Sequence, residues 1–187
     1  MVHYGTVLFF LCSTMTSAFC CDWLRHYAHV NERCLTLLNE MGRQPSEHRR
    51  SPVPFPSKLY ANISNAKAET KLLFIRDNLE QILHLYHSDN LSSSPEDRSK
   101  IKKLLECISR QIEGLKSCVS VYRTSNKELR RYYRKLRRRT MCCGSGPAHN
   151  ELIRKEIKLH LQRLHILVNS MVVAAAASRR CNPSARL

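Results

Sequence analysis

Residues 22–41 read DWLRHYAHVNERCLTLLNEM. Trp23, Tyr27, Val30, Cys34, Leu37 and Met41 recur there at three- and four-residue spacing, and Leu24, Leu35 and Leu38 widen the stripe. A 3.6-residue period places all of them on one side of a helix, with Arg25, His26, Glu32 and Arg33 left for the other. Gly42 follows as a stop. A helix with a single apolar stripe draws most of its stability from burying that stripe against partners. This stretch therefore asks for a helical core and directs the search outward for companions of the same kind.

The companions are present. Residues 67–87 carry Leu72, Ile75, Leu79, Ile82 and Tyr86, supported by Phe74 and Leu83. Ser94-Pro95-Glu96-Asp97 reads as an N-cap, a first-turn proline and two first-turn acids. The helix it opens carries Ile101, Leu104, Leu105, Ile108, Ile112, Leu115, Cys118 and Val119. Residues 127–141 place Leu129, Tyr132, Tyr133 and Leu136 on one side. Residues 149–173 form the last long helix, striped by Ile153, Ile157, Leu161, Leu164, Val168 and Met171. No useful run alternates with period two, and no repeat of 20–50 residues is visible. The expectation is an all-α chain of five main helices in one bundle. Between the first two lies a long loop, residues 43–58, with Pro45, Pro52, Pro54 and Pro56; a helical turn is expected at 59–66. That loop is long enough to cross the bundle from end to end, which permits the up-up-down-down topology of helical cytokines.

Composition sets further bounds. The chain has 187 residues, 31 Lys plus Arg, 15 Asp plus Glu and a formal charge of +16. Such a balance excludes an acidic mimic and leaves anionic partners open: nucleic acid, membrane, sulfated glycans or an acidic receptor face. Nine cysteines imply disulfides or a metal site. Residues 7–12 (VLFFLC) form an apolar run too short to span a bilayer, and Thr16, Ser17 and Ala18 suit a signal-peptidase cut after Ala18 or Cys20. The organisation expected is an export signal over 1–20, a helical domain over 21–173 and a tail over 174–187. An exported chain meets oxidising conditions, which favours disulfides over metal.

Little in the chain points to reaction chemistry. It has no Gly-rich phosphate loop, no H-E-x-x-H and no C-x-x-C. The pairs His26/His29 and His84/His87 have no acid or thiol evidently placed to complete a metal site. No enzyme activity, small-molecule substrate, metal or cofactor is expected. The densest charge run, residues 127–139, holds eight basic residues: Lys127, Arg130, Arg131, Arg134, Lys135, Arg137, Arg138 and Arg139. Its two tyrosines share the apolar side with Leu129 and Leu136, so core packing accounts for them better than base stacking. Sulfated glycans or an acidic partner fit the run, and export argues against nucleic acid. A direct membrane-active or antimicrobial role is the alternative that the charge raises. Asn62-Ile63-Ser64 and Asn90-Leu91-Ser92 are N-glycosylation sequons.

Cys21-Asp22-Trp23-Leu24-Arg25-His26-Tyr27 and Leu35-Thr36-Leu37-Leu38-Asn39-Glu40-Met41-Gly42 together resemble the first helix of fish type I interferons. Phe55-Pro56 with Leu59-Tyr60 is similar to that family's AB loop, the connection between its first two helices. Lys116-Ser117-Cys118-Val119 resembles the end of its helix C, and residues 129–136 its helix D. Glu151-Leu152-Ile153-Arg154-Lys155-Glu156-Ile157, continuing through His160-Leu161-Gln162-Arg163-Leu164, resembles its closing signature. The likeness runs from about residue 21 to 171. Where many relatives carry tryptophan before helix C and before the last helix, this chain has Ser94-Pro95-Glu96 and His149-Asn150-Glu151.

The resemblance implies a secreted antiviral cytokine that bridges two class II cytokine receptor chains and activates Janus kinases inside the cell. It implies a disulfide between Cys21 and Cys118. It also implies a receptor face on the first helix, the AB loop and the last helix, here with Arg43, Arg154, Lys155 and Lys158 as exposed basic positions. The extra Cys34, Cys107, Cys142, Cys143 and Cys181 remain open. Cys34 is either a free buried thiol or bridged to Cys107, Cys142 or Cys143, and Cys181 is a candidate for covalent dimers.

Overall fold

The computed structural model describes residues 21–41, 51–89, 95–119, 125–141 and 147–181. Within them lie six helices: α1 (Trp23–Glu40), α2 (Ser57–Ser64), α3 (Ala68–Asp89), α4 (Pro95–Lys116), α5 (Lys127–Met141) and α6 (Pro147–Cys181). No strand occurs among the described residues. Five are the long helices that the periodicity predicts. The sixth, α2, is a full helix where a single turn is expected. It follows Pro56 directly and buries Leu59, Tyr60 and Ile63 along one side, and that burial extends the turn.

Touching pairs give the direction of each helix. Cys21 meets Cys118 and Cys34 meets Cys107, so α1 and α4 are antiparallel. The Asn31 amide reaches the Leu161 carbonyl and the Arg154 guanidinium reaches the Leu38 carbonyl, so α1 and α6 are antiparallel as well. Thr140 lies against His149 and Tyr132 against Glu156, which sets α5 antiparallel to α6. Asp77 of α3 meets Asn126 just before α5, and residues 81–85 then face residues 130–137, so α3 and α5 run the same way. Helices α1 and α3 thus point one way and α4 and α6 the other. This is the up-up-down-down bundle, with α5 inserted before its last member.

The stripes meet in one core. Leu38, Leu72, Ile75, Leu79, Ile82, Leu104, Ile108, Leu115, Leu129 and Leu136 are fully buried. Each contributes roughly 1.5–3 kcal/mol by leaving water. The start of α5 is fixed locally: the Asn126 side chain accepts from the Leu129 N–H at 2.9 Å, and the Asp77 carboxylate accepts from the Asn126 N–H at 2.7 Å.

Two disulfides join α1 to α4. Cys21 is bonded to Cys118 with Cα atoms 5.2 Å apart, and Cys34 to Cys107 with Cα atoms 6.0 Å apart. The alternatives of a free Cys34 thiol and a bridge from Cys34 to Cys142 or Cys143 are therefore corrected. Facing positions on α1 and α4 put Cys107 within bonding reach. Cys20, Cys142 and Cys143 lie outside the described residues, as does the export signal expected at 1–20. Beside the first bridge, the Trp23 ring lies on Gly114. A Cβ there would sit 2.6 Å from Trp23 Cδ1, so this close approach requires glycine.

The tail expected over 174–187 also needs correction. Helix α6 continues through residue 181. Residues 174–177 are all alanine, the strongest helix former, and Met171 and Ala175 still bury against the bundle. Among the described residues no helix is long and apolar enough to cross a membrane.

Candidate receptor-binding surface

Arg154 sits on the first turns of α6, where its fork meets two structures at once. Nε donates to Glu151 Oε2 at 2.8 Å and Nη2 to Glu151 Oε1 at 2.5 Å, while Nη1 donates to the Leu38 carbonyl near the end of α1 at 2.9 Å. The side chain is only 15% exposed. Its expected role as an exposed charge is therefore corrected. Arg154 is a half-buried strut, because a planar guanidinium can serve a carboxylate with one edge and still reach a neighbouring helix end. Burial pushes the Glu151 carboxyl up, but Arg154 and Lys155 outweigh it and hold it below the ordinary range.

Lys155 is exposed and shares the same acid, with Nζ 3.3 Å from Glu151 Oε1. Lys158 lies one turn further along α6 and is half-buried rather than exposed, which corrects that expectation too. Arg154, Lys155 and Lys158 thus form one basic stretch beside the end of α1. Arg43 lies outside the described residues. Glu151 organises this stretch and was legible only as part of the closing signature. Its spacing of three and four from Arg154 and Lys155 was the available signal.

Under the AB loop lies a buried polar cluster that periodicity does not reveal. Phe55 stacks on Tyr60, with centroids 5.2 Å apart, and packs on His160 at 4.8 Å. Asn78 Nδ2 donates to the Tyr60 hydroxyl at 2.7 Å, and the Tyr133 hydroxyl donates to Asn78 Oδ1 at 2.7 Å. The Tyr60 proton is then directed at His160 Nδ1, 2.8 Å away. That makes Nδ1 an acceptor and the imidazole neutral. Burial pushes His160 down to about 3, in agreement with this tautomer. The Tyr132 hydroxyl donates to Glu156 in a short hydrogen bond. Burial pushes all three phenols up, so each remains a donor. Arg139 Nη1 donates to the Pro52 carbonyl at 2.9 Å and holds the described part of the loop to the end of α5. Loop and last helix share this foundation.

The remaining sequence candidates divide by exposure. Arg130, Arg131, Arg134, Lys135, Arg137, Arg138 and Arg139 are all exposed on α5, whereas Tyr132 and Tyr133 are buried. Asn62 is exposed on α2, and Asn90 lies outside the described residues. His149 is buried, with Nδ1 3.0 Å from the Thr140 carbonyl. Among the described residues no three His, Cys, Asp or Glu side chains gather as metal ligands would.

An up-up-down-down bundle with a long first crossover, clasped by cystines and offering a helix-and-loop face, defines a helical cytokine. The family model for the interferon alpha/beta domain matches residues 24–171. Interferon a3 of Oncorhynchus mykiss is 37% identical over 173 residues, covering 91% of this chain and 98% of that protein. The structure of zebrafish interferon 1 superposes with a TM-score of 0.69 at 27% identity, covering 80% of this chain and 99% of that one. The chain belongs to the interferon alpha/beta family and is a type I interferon of the fish kind. Members of this family are signalling proteins whose partners are cytokine receptors.

Proposed function

We propose that the chain is exported and brings two class II cytokine receptor chains together, so that Janus kinases bound to their inner ends activate one another and induce antiviral genes. One receptor chain docks on α1, the AB loop and the first half of α6, with Lys155, Lys158 and Arg43 facing acidic groups and Arg154 holding the face in register. Bridging requires no chemistry: proximity outside becomes proximity inside. Asn62 and Asn90 would carry glycan.

The observation that carries this reading is the Glu151–Arg154–Leu38 strut. It fixes the start of α6 against the end of α1 and so presents Lys155 on a rigid element, which limits the ordering cost of docking. Paired charges across such a face also speed encounter. The test is charge reversal with Lys155→Glu and Lys158→Glu together. Affinity for the purified receptor ectodomain should fall by about tenfold or more while circular dichroism stays the same. Unchanged affinity would remove this face from consideration. Loss of antiviral gene induction in cells lacking either receptor chain separates bridging from direct membrane damage. The latter is the weaker reading, because the buried tyrosines leave α5 no aromatic to insert.

A further inference from the structure

Several basic side chains at the bundle surface are answered by acids. Arg154 and Lys155 meet Glu151, Arg76 meets Asp77 and Lys116 meets Glu113. Helix α5 differs. Arg130, Arg134 and Arg137 follow one another at four- and three-residue spacing, share a face and are exposed. With Gln81, His84 and Leu85 of α3, and with Tyr133, they line an open groove of about 240 Å³. Among the described residues, no acidic side chain pairs with any of the three. Their Cα positions span about 10 Å of helix axis. Three like charges so close repel each other and raise a local positive field that an anion would relieve.

The groove's chemistry narrows the anion. Guanidinium groups take sulfate or phosphate oxygens in pairs. Single-stranded nucleic acid draws much of its affinity from stacking on aromatic faces; Tyr132 is buried, and Tyr133, which floors the groove, is only 3% exposed and offers no open ring face. A membrane surface needs an apolar wedge beside the charge. Among the described residues the large exposed hydrophobic ones, Ile166, Val172 and Val173, are all on α6. What remains is a polymer recognised by charge and hydrogen bonding alone. We propose that the α3/α5 groove binds a sulfated polysaccharide, with Arg130, Arg134 and Arg137 clamping successive sulfates and the Gln81 amide meeting a sugar hydroxyl. The groove is built on α3 and α5, whereas α1 packs chiefly on α4 and α6. A glycan-held molecule would therefore keep its α1 face free.

The experiment measures the affinity of the full oxidised protein for a heparin octasaccharide at 0.15 M salt, together with the salt needed to elute it from immobilised heparin. The groove variant is Arg130→Ala, Arg134→Ala and Arg137→Ala combined. A control removes equal charge from exposed positions of α4 with Lys102→Ala, Lys103→Ala and Arg110→Ala. Expected is a loss of about tenfold or more for the groove variant against about twofold for the control, with earlier elution. Arg134→Ala alone should show the same order with a smaller drop, and it guards against a folding defect in the triple variant. Replacing all three by lysine should lose part of the affinity, since charge remains but the forks do not. Equal losses in both triple variants would reduce the effect to net charge and overturn the site. So would undiminished binding of desulfated heparin, or tighter arginine-dependent binding of a single-stranded oligonucleotide or of phosphatidylserine vesicles.

Discussion

The two sides of the bundle are fastened by different means. Helices α1 and α4 are joined by two cystines and by a tryptophan laid on a glycine, groups that do not titrate in acid. Helices α3, α5 and α6, with α2 above them, are joined by Tyr60, Asn78, Tyr133 and His160 in one hydrogen-bonded chain and by the Tyr132–Glu156 bond. The first seam is indifferent to acid and sensitive to reductant; the second is the reverse. The bundle thereby gains one side that holds through changes of pH and another that holds through changes of redox state, each limiting the loosening of the other.

The largest effect should come from cutting the first seam. Cys118→Ser releases a link between positions separated by 97 residues; because the Cys34–Cys107 bridge nests inside it, the loop that it closes is only about 25 residues, and the chain-entropy relation puts the loss at about 3.5 kcal/mol. Urea unfolding of the secreted variant should show a much lower midpoint with secreted yield reduced; a midpoint like that of the parent would mean the clasp contributes nothing.

The second seam should fail in acid. His160 has a folded value of about 3, below its ordinary value of about 6.5. Between the two, the unfolded chain binds a proton that the folded one refuses, so stability rises with pH across that window. It is complete above about 6.5 and is lost as pH falls toward 3, by about 3 kcal/mol between pH 7 and pH 4. His160→Gln should flatten this limb, whereas Cys118→Ser should lower the whole curve and leave its slope alone. Equal slopes for His160→Gln and its parent would assign the acid limb to other groups. A smaller loss, about 2 kcal/mol, is expected of Asn78→Ala, which strips partners from two buried phenols; denaturant melts at neutral pH would measure it.

The two seams also differ in how far the sequence displayed them. The stripes of α1, α3 and α6 announced themselves. Trp23, Tyr27, Cys34 and Leu37, then Leu72, Ile75, Leu79 and Ile82, then Ile153, Ile157, Leu161 and Leu164, are all buried as their spacing predicts. Cystine pairing was not legible from spacing, because it depends on which helices become neighbours. The polar seam was hidden for a related reason. A pattern of hydrophobicity treats Asn78, Glu156 and His160 as surface, and their partners lie 18 to 100 residues away. Arg154 was misread as exposed because the Leu38 carbonyl that holds it is 116 residues distant. On α5 the apolar and charged sides separate cleanly along the helix, so its buried tyrosines and exposed arginines could be sorted from period alone.

The smallest expected effect tests whether the apolar seam is rigid as well as closed. Gly114→Ala should gain about 1 kcal/mol from helix propensity, and in a compliant site that gain would show as stabilisation. Here the new Cβ falls 2.6 Å from Trp23 Cδ1 and 3.4 Å from Cγ, close to the root of the side chain, where no terminal rotation relieves it. Retreat is further limited because Trp23 packs on Tyr27 at 4.7 Å and Cys21, two residues earlier, is bonded to Cys118 just past Gly114. Overpacking of this kind costs about 1–3 kcal/mol, so the net change should be a loss of about 1 kcal/mol. In a Trp23→Leu background the overlap disappears and Gly114→Ala should become stabilising; in a Cys118→Ser background the ring can move and the loss should shrink. A change of sign across the first cycle and a reduced cost in the second would locate the stiffness in the clasp itself. A uniformly stabilising Gly114→Ala would show that the ring retreats freely, and that the α1/α4 seam is closed by covalent bonds without being stiffened by them.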